Sequence, residues 1–166
     1  MAATKTLDDL FYETLKDIYY AERKISKALP KMARNAQSEE LKQAFQLHKD
    51  ETDGQIERLQ QIFELIGKRA RGKTCAAIEG ILEEGEEIME EFNGTPALDA
   101  GLLAAAQAVE HYEISRYGTL RAWAKQLGLK EAVALIEETL AEEERTDEKL
   151  TGLAEDTVNA AAKKAA

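Results

Sequence analysis

The sequence is poor in residues that break helices or cross-link a chain, since its 166 residues include two prolines and one cysteine. Cys75 has no partner for a disulfide within the chain, which agrees with a reducing compartment. No stretch of useful length alternates between apolar and polar residues as a half-buried strand does. The content of Ala, Leu, Glu and Lys favours helix instead. We therefore predict an all-α protein.

Long apolar runs and an excess of positive charge are also missing. No run reaches the roughly 18 residues that a membrane span needs, and the N-terminus lacks the basic-then-apolar pattern of a secretory signal. The 22 Lys and Arg residues are outnumbered by 32 Asp and Glu residues, which gives a formal net charge of −10. Such a surface repels nucleic acids and anionic lipids. We therefore predict a cytoplasmic protein that binds neither nucleic acid nor membrane.

Helical periodicity divides the chain into four long helices and one shorter helix. Apolar residues recur at steps of three and four, and capping residues and glycines mark the ends of the segments. The predicted long helices cover about residues 7–34, 39–66, 97–127 and 130–158, and the shorter helix covers about 74–92. The connection through residues 67–96 is long enough to run the length of a bundle. This predicts one domain, residues 1–166, with the fold of a ferritin-like four-helix bundle and an extra short helix in its long crossover.

The third long helix carries two carboxylates where a bundle helix normally has leucine or isoleucine. Its predicted core stripe is Leu103, Ala106, Glu110, Glu113, Tyr117, Leu120, Ala124 and Leu127. The other long helices are interrupted in the same way, at Glu22, His48, Glu143 and Asp147, and Glu51 lies just beside the stripe of the second helix, one turn from His48. A buried carboxylate without a partner commonly costs several kcal/mol. Because no Lys or Arg lies on the stripe of the third helix, a metal ion is the simplest partner.

The register of the two helical hairpins places these acids at similar heights. Glu22 and Glu51 are each about 14.5 residues from the centre of the first loop. Glu113 and Glu143 are each about 15 residues from the centre of the second loop, and Glu110 and Asp147 are each about 18.5 residues from it. Every pair thus falls roughly 22–28 Å from its loop. The alternative is that the acids are solvated residues at the helix edges, which would not explain the matched heights.

The predicted metal ligands are six carboxylates: Glu22, Glu51, Glu110, Glu113, Glu143 and Asp147. That many anions cannot share a small interior volume without raising one another's pKa. Two divalent cations would offset most of their charge. Carboxylates with at most one imidazole suit hard or borderline ions. The expected cofactor is therefore a pair of metal ions, with iron first and manganese next.

Five other side chains are assigned individually. His48 lies on the inward face of the second helix and is either an ordinary core histidine or a residue that binds the metal or supports its ligands. Gln55 and Tyr117 can hydrogen-bond the carboxylates, although neither needs that role to pack in a bundle. His111 is expected at an interhelix edge or a subunit contact. Cys75 is expected to be a small, semi-buried side chain.

Four segments carry a resemblance to known bacterial proteins: AERK at 21–24, ETDGQIER at 51–58, VEHYEISRYGTL at 109–120 and ETLAEEERTD at 138–147. The layout of their carboxylates is similar to that of the ferritin-like di-iron superfamily, which includes the rubrerythrins. The segments themselves resemble the YciF/YciE family over nearly the whole chain. This resemblance implies a ferritin-like bundle, a homodimer, a dinuclear metal site and an association with bacterial stress responses.

The chain departs from the wider superfamily at two positions. A Glu-x-x-His pair on the second helix would need histidine where Gly54 stands, and the fourth helix has Asp147 four residues after Glu143 in place of a histidine three residues on. The Cys-x-x-Cys motif of a rubredoxin-like module is also missing, so a redox reaction would draw on a separate electron donor. Iron storage as in ferritins and peroxide reduction as in rubrerythrins are therefore not carried over.

These patterns lead to two main hypotheses about function. The first is a carboxylate-bridged dinuclear metal protein that reacts with oxygen or peroxide in a bacterial stress response. As an enzyme it would be an oxidoreductase of the ferroxidase or peroxidase type. The second is a non-catalytic helical dimer in which metal is structural or absent. A third hypothesis, iron storage in a cage, differs in the size of the assembly, and we expect a dimer.

Overall fold

The described residues, 4–163, are helical apart from their connections and contain no strand. In this computed structural model the helices are α1 (Leu7–Asn35), α2 (Glu39–Leu65), α3 (Ala76–Glu91), α4 (Leu98–Gln126), α5 (Lys130–Leu153) and α6 (Asn159–Lys163). The prediction of an all-α protein is confirmed. Within this range, no helix combines the length and the apolar character needed to cross a bilayer.

The long helices pack as two hairpins that lie against each other. Short connections, residues 36–38 and 127–129, link α1 to α2 and α4 to α5, and the two helices of each hairpin pack together. Further contacts join α2 to α5 and α1 to α4, so that these helices share one hydrophobic core. The shorter α3 packs on α4 and α1. Helices in proteins gain most of their stability from such shared burial of an apolar face.

Local sequence signals explain most helix ends, and one end differs from the prediction. Gly67 and Gly128 follow α2 and α4 with φ angles of 67° and 74°, which glycine adopts at little cost. The helix α5 ends at Leu153, and residues 154–158, which the sequence places in the fourth long helix, form a π-helical turn before α6. The predicted domain, residues 1–166, extends at both ends outside the described residues.

A buried carboxylate from α4 closes the first hairpin. Asp99 is 8% exposed, and its two oxygens accept hydrogen bonds from the backbone N–H groups of Gln37 and Ser38, each at 2.7 Å. Ser38 Oγ in turn accepts a hydrogen bond from the backbone N–H of Leu41 at 3.3 Å and caps α2. Asp99 therefore ties the start of α2 to the start of α4, an interaction that the sequence analysis does not identify.

Replacing Asp99 with alanine is expected to lower the free energy of unfolding by roughly 2–4 kcal/mol, because two partly buried N–H groups lose a charged acceptor. Urea denaturation measures this change. Asp50→Ala removes an exposed aspartate from α2 and serves as the control. Equal stability of the two variants would show that the Asp99 carboxylate does not hold the hairpin together.

Candidate metal centre

Four buried side chains from three helices converge in the interior. His48 comes from α2, Glu110 and Glu113 from α4, and Glu143 from α5. Each of them is at most 2% exposed. One possible ligand atom from each lies within 4.8 Å of those of the other three. A group of oxygen and nitrogen ligands this compact can surround a metal ion.

Helical spacing explains why these residues face inward. Glu110 and Glu113 are three residues apart and so lie on one face of α4, which also carries the buried Ala106. On α5, Glu143 follows the buried Leu140 by three residues and shares its face. Burial of the apolar residues fixes which face of each helix points to the core. The polar residues on that face are buried with them.

His48 lies among the three carboxylates. Its Nδ1 atom is 3.0 Å from Oε1 of Glu110, and its Nε2 atom is 3.8 Å from Oε2 of Glu113. The same Nε2 atom is 4.0 Å from Oε2 of Glu143. Even the contact of 3.0 Å lacks the angles of a hydrogen bond, and both ring nitrogens are without a hydrogen-bond partner. The imidazole and the carboxylates therefore lie close together without satisfying one another.

Glu22 of α1 extends this cluster beside Glu113. It is fully buried, and its Oε1 atom accepts a hydrogen bond from Tyr117 Oη. Its Oε2 atom has no hydrogen-bond partner. Glu113 lies close enough for its charge to perturb the pKa of Glu22. Tyr117 thus holds one oxygen of Glu22 and leaves the other free.

Burial strongly perturbs the carboxyl groups of the cluster. Removal from water is the largest cause that raises the pKa of Glu22, Glu110 and Glu113 above the ordinary value of 4.5. The neighbouring carboxyl of Glu143 raises the pKa further in all three cases. Without a cation, the raised pKa favours the protonated form of each of these carboxyl groups. Metal binding would displace the protons.

Unpaired polar atoms provide the test of whether the cluster fits a metal ion. Buried polar atoms are nearly always hydrogen-bonded. In this cluster, several buried atoms lack a hydrogen-bond partner: both oxygens of Glu110, both oxygens of Glu113, both ring nitrogens of His48, and one oxygen each of Glu22 and Glu143. A cation would engage several of these atoms at once. Carboxylates with one imidazole suit iron or manganese, so the residues present fit a metal of the predicted kind.

Two of the six predicted ligands lie outside this group of side chains. Glu51 is half-buried and accepts a hydrogen bond from Thr146 Oγ1 at 3.1 Å. Asp147 is also half-buried, and its Oδ1 atom lies 3.1 Å from His111 Nε2 and 3.4 Å from Gln107 Nε2. The structure therefore directs both carboxylates to hydrogen-bonding partners at the edge of the core.

The other side chains assigned from the sequence have defined surroundings. Gln55 is fully buried and its Nε2 atom donates a hydrogen bond to Glu143 Oε1. The side chain of His111 is 70% exposed and lies where α4 meets α5. Cys75 is more buried than expected, at 2% exposed, and its Sγ atom lies 3.0 Å from Tyr112 Oη.

An ion pair that is not predicted from the sequence lies beside Gln55. The Nη1 and Nη2 atoms of Arg58 donate to the two oxygens of Glu142, each at 2.7 Å. The only sequence signal for this pair is its spacing from the cluster. Arg58 follows Gln55 by three residues, and Glu142 directly precedes Glu143. Charged side chains at such positions are usually solvated, so neither residue stands out in the sequence.

Fold and site together define an all-helical protein with a buried carboxylate and imidazole cluster that can hold a metal ion. A family described as a domain of unknown function, DUF892, matches residues 6–163. YciF of Escherichia coli (strain K12) is 47% identical over 156 residues, which are 93% of this chain and 94% of YciF. The chain belongs to the DUF892 family. The resemblance to YciF is thereby confirmed.

Two solved structures share this fold. The crystal structure of the E. coli stress protein YciF has a TM-score of 0.89 and 47% identity, and the match covers 94% of this chain and 99% of that chain. YcfI from Rhodopseudomonas palustris, for which a structural role has been suggested, has a TM-score of 0.87 and 45% identity. That match covers 90% of this chain and 96% of YcfI. Membership of the ferritin-like superfamily stays a prediction.

Proposed function

We propose that α1, α2, α4 and α5 form a ferritin-like four-helix bundle around a dinuclear metal centre. The contacts of α1 with α2 and α4, and of α5 with the same two helices, support this arrangement. The long connection through residues 66–97, which contains α3, agrees with ferritin-like connectivity. Facing helices of such bundles supply carboxylates to the metals.

The observation that carries the proposal is the set of buried and unpaired ligand atoms on five neighbouring side chains. We assign the first ion to His48, Glu110, Glu113 and Glu143. The second ion is assigned to Glu22 and Glu113, because Oε2 of Glu22 and both oxygens of Glu113 lack partners. Glu113 is the ligand common to both positions. Iron is the proposed metal and manganese the next candidate.

A bound pair of iron or manganese ions would supply one-electron chemistry toward oxygen or peroxide. The residues of this chain hold the ligands and exclude water, since the five proposed ligands are at most 2% exposed. Exclusion of water strengthens the attraction between carboxylates and a cation. Tyr117 keeps Oε2 of Glu22 available by donating to its Oε1 atom.

The description of YciF as a stress protein suggests a physiological setting for this chemistry. The proposed role is the reaction with oxygen or peroxide in the cytoplasm under bacterial stress, carried out by a homodimer. Cys75 is the only cysteine in the sequence, so the chain has no pair of thiols that could pass on electrons. Repeated turnover would therefore require a separate electron donor.

A non-catalytic role is the second candidate. The suggestion of a structural role for YcfI favours it. So do the raised pKa values of Glu22, Glu110 and Glu113, because protons alone can neutralise these carboxyls in the folded chain. In this case the protein would either bind a metal ion that only stabilises the fold or bind no metal ion. Metal binding and turnover must therefore be measured separately.

Oxidation of ferrous iron distinguishes these candidates. The protein is loaded with Fe²⁺ without oxygen, and oxidation after the addition of oxygen or peroxide is followed against the same concentration of free Fe²⁺. The dinuclear proposal predicts faster oxidation by the protein and a loss of roughly 100-fold in Glu110→Ala. Glu144→Ala removes the exposed neighbour of Glu143 and is the control.

Each outcome of this experiment has a definite meaning. Iron binding without faster oxidation would leave the structural role standing and exclude the oxidoreductase. The absence of iron and manganese binding would exclude both metal roles. Equal activity of Glu110→Ala and Glu144→Ala would show that oxidation occurs away from the cluster.

A further inference from the structure

A buried amide connects the cluster to a neighbouring carboxylate. Gln55 of α2 is fully buried, and its Nε2 atom donates hydrogen bonds to Glu143 Oε1 and, at 3.1 Å, to Glu142 Oε2. Both N–H groups of the amide are therefore used by adjacent residues of α5. Rotation of the amide by half a turn would place its oxygen against two carboxylates. The two hydrogen bonds thus fix which end of the amide faces the cluster.

Arg58 holds Glu142 in the position that Gln55 requires. It donates to both oxygens of Glu142 at 2.7 Å, which is the bidentate geometry of a strong ion pair. It also donates to Thr139 Oγ1 at 3.2 Å and to Glu138 Oε1 at 2.8 Å. The side chains of Arg58 and Glu142 are only 15% and 13% exposed, so water screens their interaction little.

The hydrogen bond from Gln55 distinguishes the two oxygens of Glu143. Oε1 is occupied by the amide, whereas Oε2 has no hydrogen-bond partner. The free Oε2 atom is also the one that lies 4.0 Å from Nε2 of His48. Glu143 therefore offers a single oxygen to the centre of the cluster.

We propose that Gln55, Glu142 and Arg58 form a positioning network that makes Glu143 bind metal through Oε2 alone. The inference rests on the metal centre proposed above and deepens it. A carboxylate that binds through one oxygen occupies one coordination position and leaves a second one open. The loss of a residue that orients a metal ligand in this way typically lowers metal affinity by roughly 10- to 100-fold.

Manganese binding tests this network without any measurement of activity. Gln55→Met keeps the length of the side chain but removes the N–H donors, so both oxygens of Glu143 become free. We expect the affinity for Mn²⁺ to fall roughly 10-fold or more. The infrared difference spectrum between metal-bound and metal-free protein should also change. The separation between the antisymmetric and symmetric carboxylate stretches should narrow as Glu143 binds through both oxygens.

Two further variants separate positioning from packing. Arg58→Met should shift affinity and spectrum in the same direction as Gln55→Met, by a smaller amount, because Gln55 is retained. Lys125→Met breaks the exposed ion pair between Lys125 and Glu137, at 2.9 Å, which links α4 to α5. This control should bind Mn²⁺ as the unmodified protein does. If Gln55→Met does not fold, Arg58→Met decides the test by its own spectrum.

The outcomes distinguish this inference from the proposed function. Binding of Mn²⁺ by the unmodified protein, with an unchanged affinity and spectrum in Gln55→Met and Arg58→Met, would overturn the network and leave the metal centre standing. Equal losses in Arg58→Met and Lys125→Met would also overturn it, because they would reflect general loosening of α5. No binding of Mn²⁺ or Fe²⁺ to the unmodified protein would overturn both proposals.

Discussion

Glu113→Gln is expected to make the metal-free protein more stable and to remove most of its stabilisation by metal. Glu113 is fully buried beside other carboxyls, and burial raises its pKa. A carboxyl that stays protonated on folding costs about 1.4 kcal/mol for each pH unit above its unfolded pKa. Glutamine carries no such cost. The expected gain near pH 7.5 is therefore roughly 2–4 kcal/mol.

The stability advantage of Glu113→Gln should disappear or reverse in the presence of metal. A ligand present at about 1,000 times its dissociation constant stabilises the folded state by roughly 4 kcal/mol. Glu113→Gln replaces a carboxylate that is assigned to both ions with a neutral amide, so it should gain little from Mn²⁺. Urea denaturation with a chelator and with Mn²⁺ measures both effects. Glu144→Gln, an exposed change on α5, should behave as the unmodified protein in both conditions. Destabilisation of metal-free Glu113→Gln would contradict the account.

The metal-free protein is expected to lose stability as the pH rises from about 5 to 8. A carboxyl with a higher pKa in the folded than in the unfolded chain binds more protons when folded, so its contribution declines as pH rises above the unfolded value. Glu22, Glu110 and Glu113 all have pKa values raised above 4.5, mainly by burial. For each proton taken up on folding, the free energy of unfolding falls by about 1.4 kcal/mol for every unit by which the pH rises.

Other acidic groups act in a different pH range. Hydrogen bonds lower the pKa of Asp9, Glu13, Asp53 and Glu79, and the stability from these groups is lost only as the pH falls below their ordinary values. Urea denaturation of chelator-treated protein above pH 5 therefore separates the buried carboxyls from these other acids. Glu113→Gln should show a shallower slope by about one proton. A stability that is constant or rises over this range would show that the cluster folds without taking up protons.

The affinity for metal should change with pH in the opposite direction. Since metal ions displace protons from the buried carboxyls, rising pH favours binding while it weakens the metal-free fold. Titration of Mn²⁺ at several pH values with proton release measured in parallel checks this coupling. Binding without proton release would contradict the raised pKa values.

The buried part of the cluster could be predicted from the sequence because helical spacing controls it. Glu22, Glu110, Glu113 and Glu143 interrupt apolar stripes at core positions, and all four are buried as predicted from those stripes. The all-α class follows from the same periodicity. The four-helix bundle, the homodimer and the two-ion count stay predictions.

Glu51 and Asp147 could not be placed from height alone. Successive residues on a helix are rotated by about 100°, so a residue at the correct height can still face the edge of the core. On α2 the fully buried residue at this level is Thr52, which donates to His48 O at 2.8 Å. Asp147 lies beside the exposed His111 at 3.1 Å, a contact that depends on the packing of α4 against α5. Such contacts depend on how neighbouring helices pack against each other, which the periodicity of a single helix does not give.

The sequence allows two interpretations of His48 for a related reason. The sequence around a lone histidine on an apolar helix face is the same whether the side chain only packs in the core or binds a metal ion. The three neighbouring carboxylates that favour a ligand role come from helices distant from α2 in sequence, and each has at least one oxygen without a hydrogen-bond partner. The network of Gln55, Glu142 and Arg58 is hidden from the sequence in the same way.

Anomalous scattering from crystals grown with Fe²⁺ or Mn²⁺ shows directly whether metal binds at the buried cluster. We expect a strong peak at the iron or manganese edge within coordination distance of His48, Glu110, Glu113 and Glu143, and a second peak between Glu22 and Glu113. A map without a peak at this cluster, in crystals that contain the metal in solution, would contradict the proposed metal centre.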